Sequence, residues 1–337
     1  MIKAGIIGGS GYTGEILAGL LLRHPEAELA WVTSESHKGK KVAEVYPHFE
    51  SITNLVFQSP DIDKLSGEAD VVFIALPNGM AMNIAPKLLA SGVKVVDLSA
   101  DFRFKSADTY KEWYKIDHAS KNLLDKAVYG LPEIFDVSGA SLVANPGCYA
   151  TASILGLYPL VKKGLIDTNM VVIDAKSGMS GAGKSLTDET HFANCNDSIS
   201  AYKIASHRHT PEIEEAVGGL KLTFTPHYTP MTRGILSVIY AKSKKASDEK
   251  ALLEVYKDVY KGKPFVRVTG KSPSTKQVYG SNYCDITVRL DKRTGNIIVL
   301  SAIDNLMKGA SGQAVQSMNI IFGIDETAGL DIVPIYP

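Results

Sequence analysis

Seven residues near the start constrain the fold most. Gly8-Gly9-Ser10-Gly11-Tyr12-Thr13-Gly14 places glycines at 8, 11 and 14, a Gly-x-x-Gly-x-x-Gly spacing. The turn follows an apolar, β-rich run, Lys3 to Ile7. It opens a helix expected over Gly14 to Arg23, where Ile16, Leu17, Leu20 and Leu21 share one face. Glycine lets the backbone turn tightly and approach a pyrophosphate, which the helix N-terminus attracts. A strand, such a turn and a helix together predict a β-α-β unit that holds a dinucleotide.

The residues downstream extend this alternation. Strands are expected at Glu28–Thr33, Ala69–Ala75, Val93–Leu98 and Ser141–Ala144, with a helix over Met80–Ala90. Val71-Val72-Phe73-Ile74 is continuously apolar, as buried parallel strands are. The fold class expected is α/β, a Rossmann-type doubly wound parallel sheet. Beyond about residue 165 the pattern becomes α+β with a mixed or antiparallel sheet. Strands are expected at Met170–Lys176, Lys221–Pro226, Gly234–Ala241, Phe265–Val268, Tyr283–Leu290 and Asn296–Asp304. A last helix, about Ala310 to Phe322, is expected to return to the first domain. The domains expected are therefore 1–147 with 308–337 for cofactor binding, and 148–307 for catalysis and oligomerisation.

Charge narrows the partners. Lys+Arg and Asp+Glu are both 36, so a basic face for nucleic acid or anionic membrane is not expected. No apolar run reaches the roughly 18 residues a membrane helix needs. Cys148, Cys195 and Cys284 are three cysteines, too few and too odd for a disulfide framework, which points to the cytoplasm. No Cys/His spacing suggests a metal site.

The tip of the second strand bears on the cofactor. NAD sites usually carry an acidic residue there. Here Thr33 and Ser34 occupy the tip, with Ser36 and Lys38 just beyond, which suits the 2′-phosphate of NADP(H); Glu35 points the other way. Gly8, Ser10, Gly11, Tyr12 and Thr13 would line the pyrophosphate turn. Pro77, after the third strand, lies where the dinucleotide would pass.

Asn145-Pro146-Gly147-Cys148-Tyr149-Ala150-Thr151 places a cysteine at the mouth of a helix expected over Tyr149–Lys163. Unpaired N–H groups and the positive end of the helix dipole favour the thiolate there. Cys284 instead shares a strand face with Ile286, Val288 and Leu290 and reads as core. A hydride donor and an activated thiol in one chain suggest reduction of an acyl group through a thioester. That chemistry needs an acid/base, and His207-Arg208-His209-Thr210-Pro211-Glu212 supplies two candidates at the start of a helix, with Thr210 as N-cap and Pro211 at its first position. The residues alone do not choose between His207 and His209. Ser177-Gly178-Met179-Ser180-Gly181-Ala182-Gly183-Lys184 reads as a glycine loop without P-loop spacing.

These blocks, with Asp97-Leu98-Ser99-Ala100-Asp101-Phe102-Arg103, Tyr129-Gly130-Leu131-Pro132-Glu133 and Gly309-Ala310-Ser311-Gly312-Gln313-Ala314, resemble N-acetyl-gamma-glutamyl-phosphate reductase, a family similar to aspartate-semialdehyde dehydrogenase. The match runs in order along the chain. The resemblance implies Cys148 as nucleophile and His209 as acid/base, with His207 the second choice. It implies Arg103 on the substrate phosphate, Arg208 on its carboxylate, and Asn145 and His207 beside the substrate. It implies Ser177, Gly178, Asn305 and Gly312 near the cofactor. The implied reaction is NADPH-dependent reduction of N-acetyl-L-glutamyl 5-phosphate in arginine biosynthesis, by a homodimer or homotetramer. Related alternatives are a carrier-protein-bound acyl phosphate or aspartyl phosphate, and a different class is a non-catalytic NADP sensor.

Overall fold

The computed structural model describes residues 1–244 and 248–336. The chain divides into two compact units, Met1–Pro146 with Ala310–Asp331, and Gly147–Gly309 with the residues from Ile332 onward.

The first unit runs β1 (Ile2–Ile7), α1 (Tyr12–Leu21), β2 (Ala27–Thr33), α2 (Val42–Val45), β3 (Phe57–Gln58), α3 (Ile62–Leu65), β4 (Val71–Ile74), α4 (Ala81–Ala90), β5 (Lys94–Asp97), α5 (Ala107–Tyr114), β6 (Val128–Tyr129) and β7 (Leu142–Ala144). The sheet order is β3-β2-β1-β4-β5-β7-β6, and every pairing is parallel. Strand order reverses between β1 and β4, the switch point outside whose carboxyl ends such sheets bind ligands. All four residues of β4 are 0% exposed, which is why that stretch is apolar without alternation.

The second unit runs α6 (Cys148–Lys162), β8 (Ile166–Gly178), α7 (Phe192–Cys195), β9 (Ser200–Ala201), α8 (His209–Ala216), β10 (Thr223–Thr229), β11 (Ile235–Ser243), α9 (Glu249–Val259), β12 (Val266–Val268), β13 (Cys284–Asp291) and β14 (Asn296–Ile303). Its sheet is mixed, in the order β12-β13-β14-β11-β8-β10-β9. The β13–β14 hairpin turns at Gly295, whose φ of +70° needs glycine. Helix α6 packs on the face bearing Ile239, Val299 and Ser301, beside Gly156. Helix α9 joins it there through Tyr256, whose hydroxyl donates to the Gly156 carbonyl at 2.6 Å. The opposite face leaves Met170, Val172 and Tyr240 exposed and Val238, Ile298 and Leu300 half-buried. A π-helical turn, Met307–Ser311, then leads into α10 (Gly312–Ile321) of the first unit. Among the described residues no helix is long and apolar enough to cross a membrane.

Three local expectations need correction. Strand β8 is thirteen residues long and takes in Ser177 and Gly178, which the sequence reads as loop, because β10 and β11 pair along both of its edges to that point. Helix α8 begins at His209 with Arg208 as N-cap, so Thr210 is not the cap and Pro211 is not at the first position. The His207 ring replaces a hydroxyl cap, and Pro211 still falls in the first turn, where a missing N–H costs nothing. Helix α10 starts at Gly312 rather than Ala310, after the π-turn.

Candidate active site

In the second unit, Cys148 is the first residue of α6, and Gly147 is its N-cap with no side-chain cap bond. Cys148 is half-buried between buried neighbours Gly147 and Tyr149. Cys284 is 0% exposed on β13, and Cys195 lies on the single-turn helix α7. Two glycines give Cys148 its surroundings. A Cβ on Gly147 would lie 2.3 Å from His209 Nε2, so the imidazole packs directly on the residue before the thiol. A Cβ on Gly309 would lie 2.8 Å from the Cys148 Cβ, so the π-turn also passes at van der Waals range. π-turns inside helices are frequent at functional sites.

The two histidines differ in kind. His207 is 7% exposed. Its Nδ1 accepts the His209 backbone N–H at 3.1 Å, and its Nε2 faces the Tyr202 hydroxyl at 3.4 Å. An Nδ1 that accepts from a backbone donor is unprotonated, so the ring's proton sits on Nε2. Tyr149, Tyr202 and Phe224 surround the ring. Burial above all, then the charges of His209 and Lys203, lowers its pKa to about 2, so it is neutral near pH 7. His209 is half-buried at the start of α8. One turn on, Glu212 is 1% exposed, and its Oε1 accepts the Gly147 N–H at 2.8 Å. Arg208 is exposed.

Ser177, Gly178 and Asn305 also belong to this unit. Gly178 must lack a Cβ because the backbone of Thr232 and Arg233 would lie 2.7 Å away. Asn305 Oδ1 accepts the Gly234 N–H at 2.7 Å, and its Nδ2 donates to Ser180 Oγ at 2.9 Å. Asn305 therefore braces the end of β8 against the start of β11.

In the first unit, the glycine turn has the shape a diphosphate needs. Gly8 has φ +89°, and a Cβ there would meet the Ala75 carbonyl at 2.4 Å. Gly14 would strike Gly8 and Gly9. Gly11 is the N-cap of α1 with no side-chain cap bond, and nothing lies within 4 Å of where its Cβ would be. The start of α1 thus has no side-chain cap and open space beside Gly11, so the residues fit a dinucleotide. At the tip of β2, Ser34 Oγ donates to Ser10 Oγ at 2.9 Å and lies 3.3 Å from Ser36 Oγ. Tyr12 and Thr13 begin α1, and Ser36, Lys38 and Pro77 are exposed. Gly312 is buried at the start of α10.

Arg103 is held in this unit by its own backbone neighbourhood. Its Nε donates to the Asn145 carbonyl at 2.8 Å and its Nη2 to the Leu98 carbonyl at 3.0 Å. Asn145 is 1% exposed and its Nδ2 donates to the Ala310 carbonyl at 3.1 Å. Two residues that sequence reasoning passed over organise the loop. Asp101 accepts the Gly79 and Met82 N–H groups and the Tyr110 hydroxyl. Asp97 is fully buried; desolvation first, and Asp101 second, pushes its pKa up to about 7. Among the described residues no cluster of three His, Cys, Asp or Glu side chains could hold a metal.

Comparison with known proteins agrees with this division. Residues 3–138 match the semialdehyde dehydrogenase NAD binding domain, and residues 148–305 match the semialdehyde dehydrogenase dimerisation domain. The N-acetyl-gamma-glutamyl-phosphate reductase of Desulforudis audaxviator is 54% identical over the whole of both chains. That of Pelotomaculum thermopropionicum is 50% identical over 100% of this chain and 99% of its own. In fold, the chain is similar to aspartate semialdehyde dehydrogenase II of Vibrio cholerae complexed with ASA (TM-score 0.72, 15% identity, 95% of this chain and 98% of that one). It is also similar to the Candida albicans aspartate semialdehyde dehydrogenase with NADP (TM-score 0.67, 19% identity, 95% and 98% covered). The parallel-sheet unit, the mixed-sheet unit and the full-length identity lead to one assignment: the chain belongs to the N-acetyl-gamma-glutamyl-phosphate reductase family of semialdehyde dehydrogenases.

Proposed function

We propose that the protein reduces N-acetyl-L-glutamyl 5-phosphate to N-acetyl-L-glutamate 5-semialdehyde with NADPH, through a thioester on Cys148. The observation that carries this reading is the uncapped start of α6 at Cys148, with the His209 ring packed against Gly147. His209 takes the thiol proton, and the thiolate attacks the acyl carbon. The acyl C–O bond breaks, phosphate leaves and draws a proton from solvent, and the acyl group remains on sulfur. NADPH, when bound, supplies the hydride that reduces the thioester. As the aldehyde forms, the C–S bond breaks and sulfur leaves as thiolate, which recovers its proton from His209.

His207, neutral and engaged on both nitrogens, orients the start of α8 rather than moving protons. Arg103 and Arg208 supply the cations for the phosphate and carboxylate. The glycine turn and first turn of α1 hold the pyrophosphate, and Ser34, Ser36 and Lys38 take the 2′-phosphate. The half-exposed apolar face of Val172, Val238, Tyr240, Ile298 and Leu300 is the surface we assign to homo-oligomerisation, and an NADPH-dependent biosynthetic step fits the cytoplasm.

The test is phosphate-dependent oxidation of N-acetyl-L-glutamate 5-semialdehyde with NADP⁺, run beside NAD⁺, aspartate semialdehyde and a carrier-bound semialdehyde. The acetylated free substrate with NADP⁺ should give the highest kcat/KM. A higher value for any of the others rejects the substrate or cofactor assignment.

A further inference from the structure

We propose that Glu212 is a positioning residue that sets the spacing of the thiol and the imidazole, an inference that rests on reading Cys148 as nucleophile and His209 as acid/base. Its carboxylate sits in the first turn of α8 between buried Pro211 and Ile213 and is itself 1% exposed. Removing a carboxylate from water is costly unless it is well bonded. Fold stability alone would be served as well by an apolar side chain of similar size.

The bond it makes explains its presence. Glu212 Oε1 accepts the N–H of Gly147 at 2.8 Å, a bond that crosses from α8 to the N-cap of α6. That N–H precedes the first turn of α6 and has no partner within the helix. Three residues earlier, on the same face of α8, His209 presses its Nε2 on Gly147 from the Cα side. Two side chains of one helix face thus grip a single residue, the one before Cys148. Glu212 fixes the α6 N-cap against α8, and His209 rides on the same turn. Their joint grip sets where the imidazole lies relative to the sulfur. A misplacement of about 1 Å can cost on the order of 10²-fold in rate.

The grip needs an acceptor of this length and does not need charge. The test compares wild type, Glu212→Gln, Glu212→Ala and Glu212→Asp, each below its own melting temperature. The first readout is the rate of Cys148 alkylation by iodoacetamide, mapped to its peptide, which requires neither substrate nor cofactor. The second is kcat against KM for the acetylated semialdehyde. Glu212→Gln, which keeps the acceptor, should stay within about fivefold of wild type in both. Glu212→Ala should lose roughly 10- to 100-fold in alkylation rate and kcat, with KM within about twofold. If Glu212→Ala fails to fold, Glu212→Asp replaces it, since its carboxylate falls short of Gly147 and it should be slowed as alanine is.

Glu212→Gln as slow as the alanine or aspartate variant would overturn the proposal, because charge would then be the requirement. An alanine variant with wild-type rates, or an aspartate variant with them where it stands in, would overturn it too. Because alkylation needs no substrate, the predicted order of alkylation rates with no turnover of the acetylated semialdehyde would refute the substrate assignment and leave this inference standing.

Discussion

The candidate site of the first unit centres on a backbone turn, whereas that of the second centres on side chains. In the parallel-sheet unit, Gly8 and Gly14 pack where no Cβ fits, and α1 starts at Gly11 with no side-chain cap. In the mixed-sheet unit, Cys148 begins α6, His209 and Glu212 lie in the first turn of α8, and His207 lies just before it. Backbone sites depend on local conformation, and side-chain sites depend on tertiary packing. Mutations in the two units should therefore fail differently, one in cofactor affinity and the other in chemistry.

His209→Asn should show the largest effect. It should lower kcat by about 10²- to 10⁴-fold and leave the NADP Kd within twofold, measured by fluorescence titration. Weaker NADP binding in that variant would erase the contrast. Gly147→Ala comes next, because its methyl would lie 2.3 Å from His209 Nε2. Displacing the ring should reduce kcat by about 10²-fold and slow Cys148 alkylation. On the other side of the comparison, Gly8→Ala places a methyl 2.4 Å from the Ala75 carbonyl at φ +89°. It should raise the NADP Kd by about tenfold or more with Cys148 alkylation unchanged. Slower alkylation in that variant would show that the two sites are not separable.

The smallest expected effect lies in the pH dependence of stability, where the units should have opposite signs. Asp97 has its pKa raised from 3.8 to about 7, so the fold holds a proton that the unfolded chain releases. Its contribution is full below pH 3.8 and lost as pH rises through about 7. His207 has its pKa lowered from 6.5 to about 2, so its contribution is full above pH 6.5 and lost as pH falls towards 2. In urea unfolding across pH 4 to 8, Asp97→Asn should remove the loss on the rising side. His207→Gln should remove the loss on the falling side. The same sign in both variants would contradict the burial argument.

The same contrast explains what could be read from the chain. The glycine turn was legible because a turn of this kind requires glycine at fixed local spacing, and the structure gives Gly8 and Gly14 a steric reason. The position of Cys148 at a helix mouth was legible because a helix start is a local event. The choice between His207 and His209 was not. What sets the two apart is their contact with Tyr202, Phe224 and Gly147, which meet only in the folded unit. Thr210 has the chemistry of an N-cap, but the His207 ring reaches the His209 N–H and moves the helix start. Glu212 reads in sequence as an ordinary acidic residue in a first helical turn, and only tertiary packing buries it. Gly309 looks like a helix-breaking glycine, yet its role is to admit the Cys148 side chain. Helices α5 and α9 went unread because each buries only two residues, Tyr110 with Tyr114 and Leu252 with Tyr256, on otherwise polar surfaces.

The most direct test of the thioester account is a single turnover without phosphate. Mixing the protein with N-acetyl-L-glutamate 5-semialdehyde and NADP⁺ should give a burst of about one equivalent of NADPH per active site, then stop until phosphate is added. Mass spectrometry should find the N-acetylglutamyl group on the Cys148 peptide, and Cys148→Ser should give no burst. A burst in Cys148→Ser, or an acyl group on Cys195 or Cys284 instead, would contradict the account.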